Sequence, residues 1–376
     1  MLEWKKIGEV CNVLNGFSFK SHEYTPTGIR IIRISDVQSG YISDKDKVYY
    51  PVDKLDEFKR FILNDGDIVM SLTGNPGRVA FIKKDSLPCA LNQRVACLRP
   101  KKVNGSYLYY LFNCSEFESI AYANSTGGAQ KNLSTTWLNN FQIPVPTISE
   151  QHHIVGILDT FTAAIDNLKQ QIEQRHKQYE HYRDQLLDLE GKEGVKMKTL
   201  GEIGEVCMCK RIMKDQTSEK GEIPFYKIGT FGGDADAYIS RELFEDYKRR
   251  FSYPKQGDIL ISAAGTIGRS VIFDGADSYY QDSNIVWINN DEDKVLNKYL
   301  YYFYQIADWK IDGGTIKRLY NYNLKSTSMP VPSLAEQSRI VGILDTFEAS
   351  IANLEQQLEM RQKQYEYYRN KLLTFE

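Results

Sequence analysis

The chain of 376 residues, 42% of them hydrophobic, holds material for about two or three ordinary domains, each able to bury its own core. No basic and then apolar leader follows Met1, and no run nears the roughly 18 continuous apolar residues of a membrane span, so a cytoplasmic protein without a membrane partner is expected. A formal charge of −2 lacks the overall basicity common in nucleic-acid binders.

That average hides a division. Residues 1–146 carry about +4, residues 147–191 about −4, residues 192–332 about 0 and residues 333–376 about −2. Residues 1–146 form a first predicted domain. Its β-rich runs Asp67 to Leu72, Val79 to Ile82 and Val95 to Leu98, punctuated by Gly and Asn, predict a twisted sheet with loops, and Tyr107 to Cys114 predicts an amphipathic helix. Residues 147–191 form a long helical segment, ending in the linker Glu190-Gly191-Lys192-Glu193-Gly194. Residues 192–332 form a second domain, with strands at Asp258 to Ser262, Ser270 to Phe273 and Ile285 to Ile288 and a helix at Lys298 to Ile306. Residues 333–376 are again helical. The fold class expected is therefore α+β, two similar domains joined by two long helices.

The helical segments are duplicates. IPVPTISEQHHIVGILDTFTAAIDNLKQQIEQRHKQYEHYRDQLL, from Ile143, recurs from Met329 as MPVPSLAEQSRIVGILDTFEASIANLEQQLEMRQKQYEYYRNKLL, with roughly 29 of 45 positions identical. In the first copy Ile154, Leu158, Phe161, Ile165, Leu168, Ile172, Arg175, Tyr179, Tyr182, Leu186 and Leu189 alternate steps of four and three, a heptad seam. The second copy repeats it through Ile340, Leu344, Phe347, Ile351, Leu354, Leu358, Arg361, Tyr365, Tyr368, Leu372 and Phe375. Two such seams most simply pack on each other. Arg175 and Arg361 share one heptad position, so parallel packing would press like charges together in a desolvated seam. An antiparallel pair is expected, with Arg175 near Leu354 and Arg361 near Leu168.

The flanking domains repeat too. Ile7-Gly8-Glu9-Val10-Cys11 reappears as Ile203-Gly204-Glu205-Val206-Cys207. Gly66-Asp67-Ile68 leads through Ser71 to Gly74-Asn75-Pro76-Gly77-Arg78, and Gly257-Asp258-Ile259 leads through Ser262 to Gly265-Thr266-Ile267-Gly268-Arg269. Gly127-Gly128 precedes Lys131 and Leu133 as Gly313-Gly314 precedes Lys317 and Leu319. Between these landmarks the halves diverge, which points to two different ligands on a common frame.

Catalytic chemistry is absent from the motifs. Asn75-Pro76-Gly77 is a fragment of the D/N-P-P-Y/F motif of adenine methyltransferases, and no GxxxxGK[ST] phosphate loop occurs. Asp53 with Glu57-Phe58-Lys59 is too tightly spaced for a nuclease and lacks a counterpart at Glu245-Asp246-Tyr247-Lys248. His152, His153, His176 and His181 have no matched carboxylate or cysteine set, so no metal is expected. Cys11, Cys89, Cys97, Cys114, Cys207 and Cys209 form no CxxC pair and read as reduced thiols.

The ordered, duplicated landmarks, GDI…SxxGxxGR (Gly66 to Arg78, Gly257 to Arg269) and P-V-P…EQ (Pro144 to Gln151, Pro330 to Gln337), resemble the specificity subunits of type I restriction-modification enzymes over essentially the whole chain. The resemblance implies a non-catalytic subunit whose two domains each read one half of a bipartite, asymmetric sequence in double-stranded DNA. It implies that the helices set the spacer and bind two methyltransferase subunits, with restriction subunits joining through the complex. It places S-adenosylmethionine, ATP and Mg on those partners and no cofactor on this chain. A coiled-coil scaffold with paired ligand-binding domains is the alternative reading.

Within the DNA reading, Arg78 and Arg269 are the leading contact candidates, because flanking glycines allow close approach and arginine clamps phosphate or reads guanine; bracing of a hairpin is the competing role. Lys131 with Asn132, and Lys317 with Arg318, follow a Gly-Gly loop and are phosphate candidates, against a solvated loop end. Lys59 and Arg60, and Lys248, Arg249 and Arg250, mix charge with neighbouring aromatics and suit backbone contacts, against a plain solvated face.

Overall fold

The structure, a computed structural model, describes residues 2–128, 130–313 and 317–375. It divides into two compact units, residues 1–169 with 357–376, and residues 170–356, so the division falls inside both long helices.

The first unit opens with β1 (Glu3–Lys6), α1 (Ile7–Val10) and β2 (Cys11–Asn15). There follow β3 (Ile29–Ile32), β4 (Tyr49–Tyr50), α2 (Leu55–Phe58), β5 (Ile68–Ser71), β6 (Val79–Phe81), β7 (Cys89–Leu91) and β8 (Val95–Pro100). Helices α3 (Gly105–Phe112), α4 (Ser115–Ala123) and α5 (Thr135–Asn140) lead to β9 (Gln142–Val145) and the 40-residue α6 (Ile148–Leu187). The second unit repeats the plan with β10 (Lys196–Thr199), α7 (Leu200–Ile203), β11 (Glu205–Met208), β12 (Ile223–Tyr226) and β13 (Tyr238–Ile239). It continues through α8 (Arg241–Arg250), β14 (Ile259–Ser262), β15 (Ser270–Ile272), β16 (Tyr279–Tyr280), β17 (Ile285–Asn289), α9 (Asn297–Tyr304), α10 (Asn321–Ser326), β18 (Ser328–Val331) and α11 (Leu334–Leu373).

Each unit holds a four-stranded antiparallel sheet (β2-β8-β5-β6; β11-β17-β14-β15), a three-stranded sheet (β4-β3-β7; β13-β12-β16) and a ribbon (β1-β9; β10-β18). Every residue of β5 and of β14 is buried, so the four-stranded sheets are covered on both faces and their strands read as continuous apolar runs. Ile68, Met70 and Leu98 face the helices, while Val69 and Cys97 face Ile32 and Leu91 of the smaller sheet. Ile259, Ile261 and Val286 repeat the first arrangement, and Leu260 and Trp287 the second.

The duplicated motifs have physical roles in this frame. Asp67 accepts the Asn64 N–H at 2.8 Å and Asp258 the Lys255 N–H at 2.7 Å, closing the turn before each central strand. Ser71 and Ser262 donate to the carbonyls of Asn75 and Thr266, closing the loop of the following hairpin. Gly77 and Gly268 sit at φ +95° and +85°, and a Cβ there would lie 2.8 Å from the Ala121 Cβ and 2.5 Å from the Trp309 indole nitrogen. The P-V-P…EQ stretch anchors the start of each long helix. Gln151 donates to the Pro146 carbonyl and accepts from the Asn104 N–H, both at 2.8 Å, and Tyr107 donates to the Pro144 carbonyl. Gln337, Pro332, Leu296, Tyr299 and Pro330 repeat these bonds. Thr147 and Glu150 complete a reciprocal cap on α6. Further along, Tyr110 donates to Asp159 and Tyr302 to Asp345, which accounts for the repeated L-D-T.

Register corrects one sequence pairing. Cys11 pairs with Pro100 while Glu205 pairs with Asn289, so α1 (Ile7-Gly8-Glu9-Val10) corresponds to α7 (Leu200-Gly201-Glu202-Ile203), three residues earlier than the motif match. Glu9 and Glu202 each accept the N–H three residues before them, at Lys6 and Thr199. The sequence Gly201-Glu202-Ile203-Gly204-Glu205-Val206 holds the pattern twice, and the second occurrence drew the match.

The seams meet antiparallel within each unit. In the first, Phe161 stacks on Tyr368 with ring centroids 5.3 Å apart. In the second, Phe347 stacks on Tyr182 at 5.4 Å. Leu158, Ile165, Leu344 and Ile351 are buried, whereas Leu168, Ile172, Leu354 and Leu358 are half-buried. In the register set by these two stacks Arg175 falls opposite Leu354 and Arg361 opposite Leu168, as expected, and each guanidinium reaches along the partner helix to a ring, Arg175 over Phe347 at 5.8 Å and Arg361 over Phe161 at 5.9 Å.

Candidate nucleic-acid interface

The sequence candidates are scattered. Arg78 donates to Gln38 at 3.0 Å, its Nε lies 3.9 Å from Glu118, and it is half-buried. Arg269 is exposed and donates to the Phe231 carbonyl at 2.9 Å. Both guanidiniums thus reach from their hairpin to a neighbouring loop. Lys131 lies over the Tyr122 ring and Asn132 bonds Thr73. Lys317 is exposed, and Gly314 of the preceding Gly-Gly pair lies outside the described residues. Lys59 pairs with Asp56 and Arg60 covers Phe61. On α8, Lys248 reaches Asp277, and Arg249 and Arg250 both reach Asp246, so three cations are offset locally by two acids.

Arg318 stands apart from that group. One of its terminal nitrogens donates to the Ser283 carbonyl, the Ser283 hydroxyl and the Asn284 side chain at 2.7, 2.8 and 3.0 Å, which fixes the guanidinium in orientation. It lines a groove of about 490 Å³ together with Arg211, Lys214, Lys227, Gln281 and Asn284. Four cations meet one lining carboxylate there, Asp282, held 2.6 Å from the Arg211 Nε. Lys227 reaches out to Asp236 at 2.8 Å, and Lys214 has no ion pair among the described residues. Such a concave surface of fixed and mobile cations, with amides beside them, suits a phosphate backbone with base edges behind it.

Strand register locates the counterparts in the first unit. Asn92 donates its N–H to Ile32 as Gln281 does to Tyr226, so Arg33 stands for Lys227, Asn92 for Gln281, and Arg94 for Asn284. Leu133 and Leu319 bond Leu72 and Ala263, so Asn132 stands for Arg318. The chemistry differs at each place. Asp36 caps the turn that Thr230 caps in the second unit, and takes up Arg33 with side-chain bonds at 3.2 and 3.3 Å. Arg94 is exposed. Arg211, Lys214 and Lys227 escaped the sequence reading because they are isolated cations on separate loops; alignment by strand register, rather than by charge runs, would have found them.

Other chemistry is not assembled. Burial pushes the Cys11, Cys89 and Cys209 thiols up to about 12, so they stay protonated and unreactive. Among the described residues no three His, Cys, Asp or Glu side chains gather as a metal set, and no helix is long and apolar enough to cross a membrane.

Two like-folded α+β domains, each presenting a different polar surface at equivalent loop ends and joined by duplicated helices, define a protein built to read two unlike sites. The sequence matches the family described as type I restriction modification DNA specificity domain over residues 1–175 and 192–360, and the chain belongs to that family. It is 44% identical to a putative type I restriction enzyme specificity subunit of Haemophilus influenzae, across 100% of this chain and 96% of that one. It is 33% identical to the EcoR124I/EcoR124II specificity subunit of Escherichia coli, over 72% of this chain and 70% of that one. The fold is that of the type I restriction-modification S subunit from M. genitalium, with a TM-score of 0.59 and 16% identity, covering 100% of this chain and 97% of that one.

Proposed function

We propose that this chain is the DNA-reading subunit of a type I restriction-modification enzyme, each domain recognising one half of a bipartite, asymmetric target in double-stranded DNA. The observation that carries this reading is the set of equivalent positions with unlike side chains, Arg33 against Lys227, Arg94 against Asn284 and Asn132 against Arg318, on one repeated frame. Different donor and acceptor sets at one place select different bases or grip the backbone differently. The long helices set the spacer and dock methyltransferase subunits, two by the twofold repetition of their anchored starts, with restriction subunits joining through the complex. S-adenosylmethionine, ATP and Mg bind those partners, and this chain performs no bond chemistry.

Methylation mapping of DNA from cells expressing the chain with its methyltransferase should reveal a bipartite motif modified at adenine. Exchanging residues 1–146 for another such domain should change one half of that motif only. Alteration of both halves, or of neither, would sink the reading.

A further inference from the structure

Just beyond Arg318 the second domain exposes an aromatic pair that its own packing does not use. Tyr320 and Tyr322 stack with ring centroids 5.7 Å apart and planes 9° apart, yet remain 42% and 60% exposed. The pair is held in place. Tyr322 donates to Asp312, which also accepts from Asn323 at 2.8 Å. Leu319 is buried and its N–H bonds Ala263, and the backbone at Tyr320 is extended, with φ −78° and ψ 154°. Alternation along such a segment puts Arg318 and Tyr320 on the same side, opposite Leu319. The aromatic pair therefore continues the surface that Arg318 and the cationic groove begin. The first domain has Ser134 and Thr136 at these places, so the frame does not require the rings.

We infer that Tyr320 and Tyr322 form a stacking wedge for duplex DNA at the edge of the second domain's half-site, a contact that rests on the DNA-reading function proposed above. The cationic groove that Arg318 lines favours a polyanion, the Asp312 carboxylate at the rings being taken up by the Tyr322 hydroxyl and the Asn323 amide, and every base or sugar offers a flat or apolar face to an aromatic side chain. The spacing decides the mode. A base between the rings would need two stacking intervals of about 3.4 Å, or about 6.8 Å, more than the pair leaves. The outer ring face is what meets the nucleic acid, so the pair wedges against a base step or sugar rather than clamping a base.

The test uses the full chain in complex with its methyltransferase, on duplexes carrying the mapped target with 2-aminopurine placed in either half-site. The wild-type complex should raise the fluorescence in the second half-site. Y320A/Y322A should abolish that rise and weaken binding roughly ten- to hundredfold, with the recognised motif and the slope of affinity against salt unchanged. R318A should instead reduce the salt slope. Y320F/Y322F, which keeps the rings, should bind within about threefold of wild type, and thermal unfolding of each variant separates misfolding from lost contact. Y320A/Y322A binding and fluorescence equal to wild type would overturn the wedge alone. Loss of methyltransferase binding with DNA contact intact would assign the rings to a protein partner and overturn it too. A wild-type complex that modifies no bipartite target would overturn the functional reading beneath it.

Discussion

The two domains solve one structural problem in two ways. Each central strand follows a buried aspartate that caps the preceding turn. In the first domain Arg99 forks onto Asp67 with bonds of 2.8 and 2.6 Å. In the second, register puts Asn289 in the place of Arg99, and burial holds the Asp258 carboxyl above the usual carboxylate range. The anchors of the long helices differ as well. Gln337 bonds the carbonyls of Pro332 and Lys294 and the N–H of Leu296, whereas Gln151 bonds two backbone groups. What the halves share is the satisfaction of backbone groups; what they do not share is the side-chain chemistry around them, and that freedom lets one frame carry two specificities.

The anchors give the largest expected difference. Gln337 is 0% exposed, and Q337A would strand three backbone groups, the Pro332 carbonyl buried and the Lys294 carbonyl and Leu296 N–H part-buried, lowering the local stability of the second unit by about 3 kcal/mol; Q151A strands two and should cost the first about 2 kcal/mol. Hydrogen exchange at the stretch before each helix start measures this in each unit separately. Equal losses would mean that the third bond contributes nothing and would erase the asymmetry.

A smaller difference lies in the buried aspartates. R99A leaves Asp67 without its guanidinium and should destabilise the first unit by about 1–2 kcal/mol, since Arg99 itself is one-third exposed. N289A should change the second by less than about 0.5 kcal/mol. Adding D67N to R99A should restore much of the loss, because the amide still accepts the Asn64 N–H without a buried charge. Failure of that rescue would assign the cost of R99A to lost packing instead of charge.

The frame was written in the sequence because it repeats. The heptad seams, the GDI…GxxGR hairpins and the P-V-P…EQ anchors are local, occur twice and leave a period or a spacing behind, and the β-rich runs at Asp67 to Leu72 and Asp258 to Ser262 lie on β5 and β14. Two kinds of feature left no such trace. The ribbons β1-β9 and β10-β18 join segments more than a hundred residues apart through strands of four residues, too short for an alternation to declare itself. The cationic groove is assembled from Arg211, Lys214, Lys227 and Arg318, none of which neighbours another closely enough to form a run beyond the Arg211 loop. Of the two charge runs that the sequence does show, Lys248-Arg249-Arg250 is paired with Asp246 and Asp277, and in the other Lys59 is paired with Asp56.

Acid titration probes the smallest difference, because the surroundings of Glu23 and of Asp258 should respond with opposite sign. In the first, Lys54 at 2.8 Å and the Tyr50 hydroxyl hold Glu23 at about 2, so its contribution is present above the ordinary glutamate range and drains away as pH falls from about 4.5 towards 2. In the second, the raised Asp258 carboxyl contributes fully below the ordinary aspartate value of 3.8 and loses that contribution as pH rises through its folded value. Between neutrality and pH 3 the local stability around Asp258 should therefore gain from acid while that around Glu23 falls. E23Q should flatten the first response. D258N, whose amide oxygen still accepts the Lys255 N–H, should flatten the second and stabilise the unit slightly at neutral pH. Parallel slopes at the two sites in the wild-type chain, read by pH-dependent exchange of the amides beside Glu23 and beside Asp258, would show that Asp258 finds in solution a counter-charge equivalent to Arg99, and the contrast between the domains would then reduce to their helix anchors.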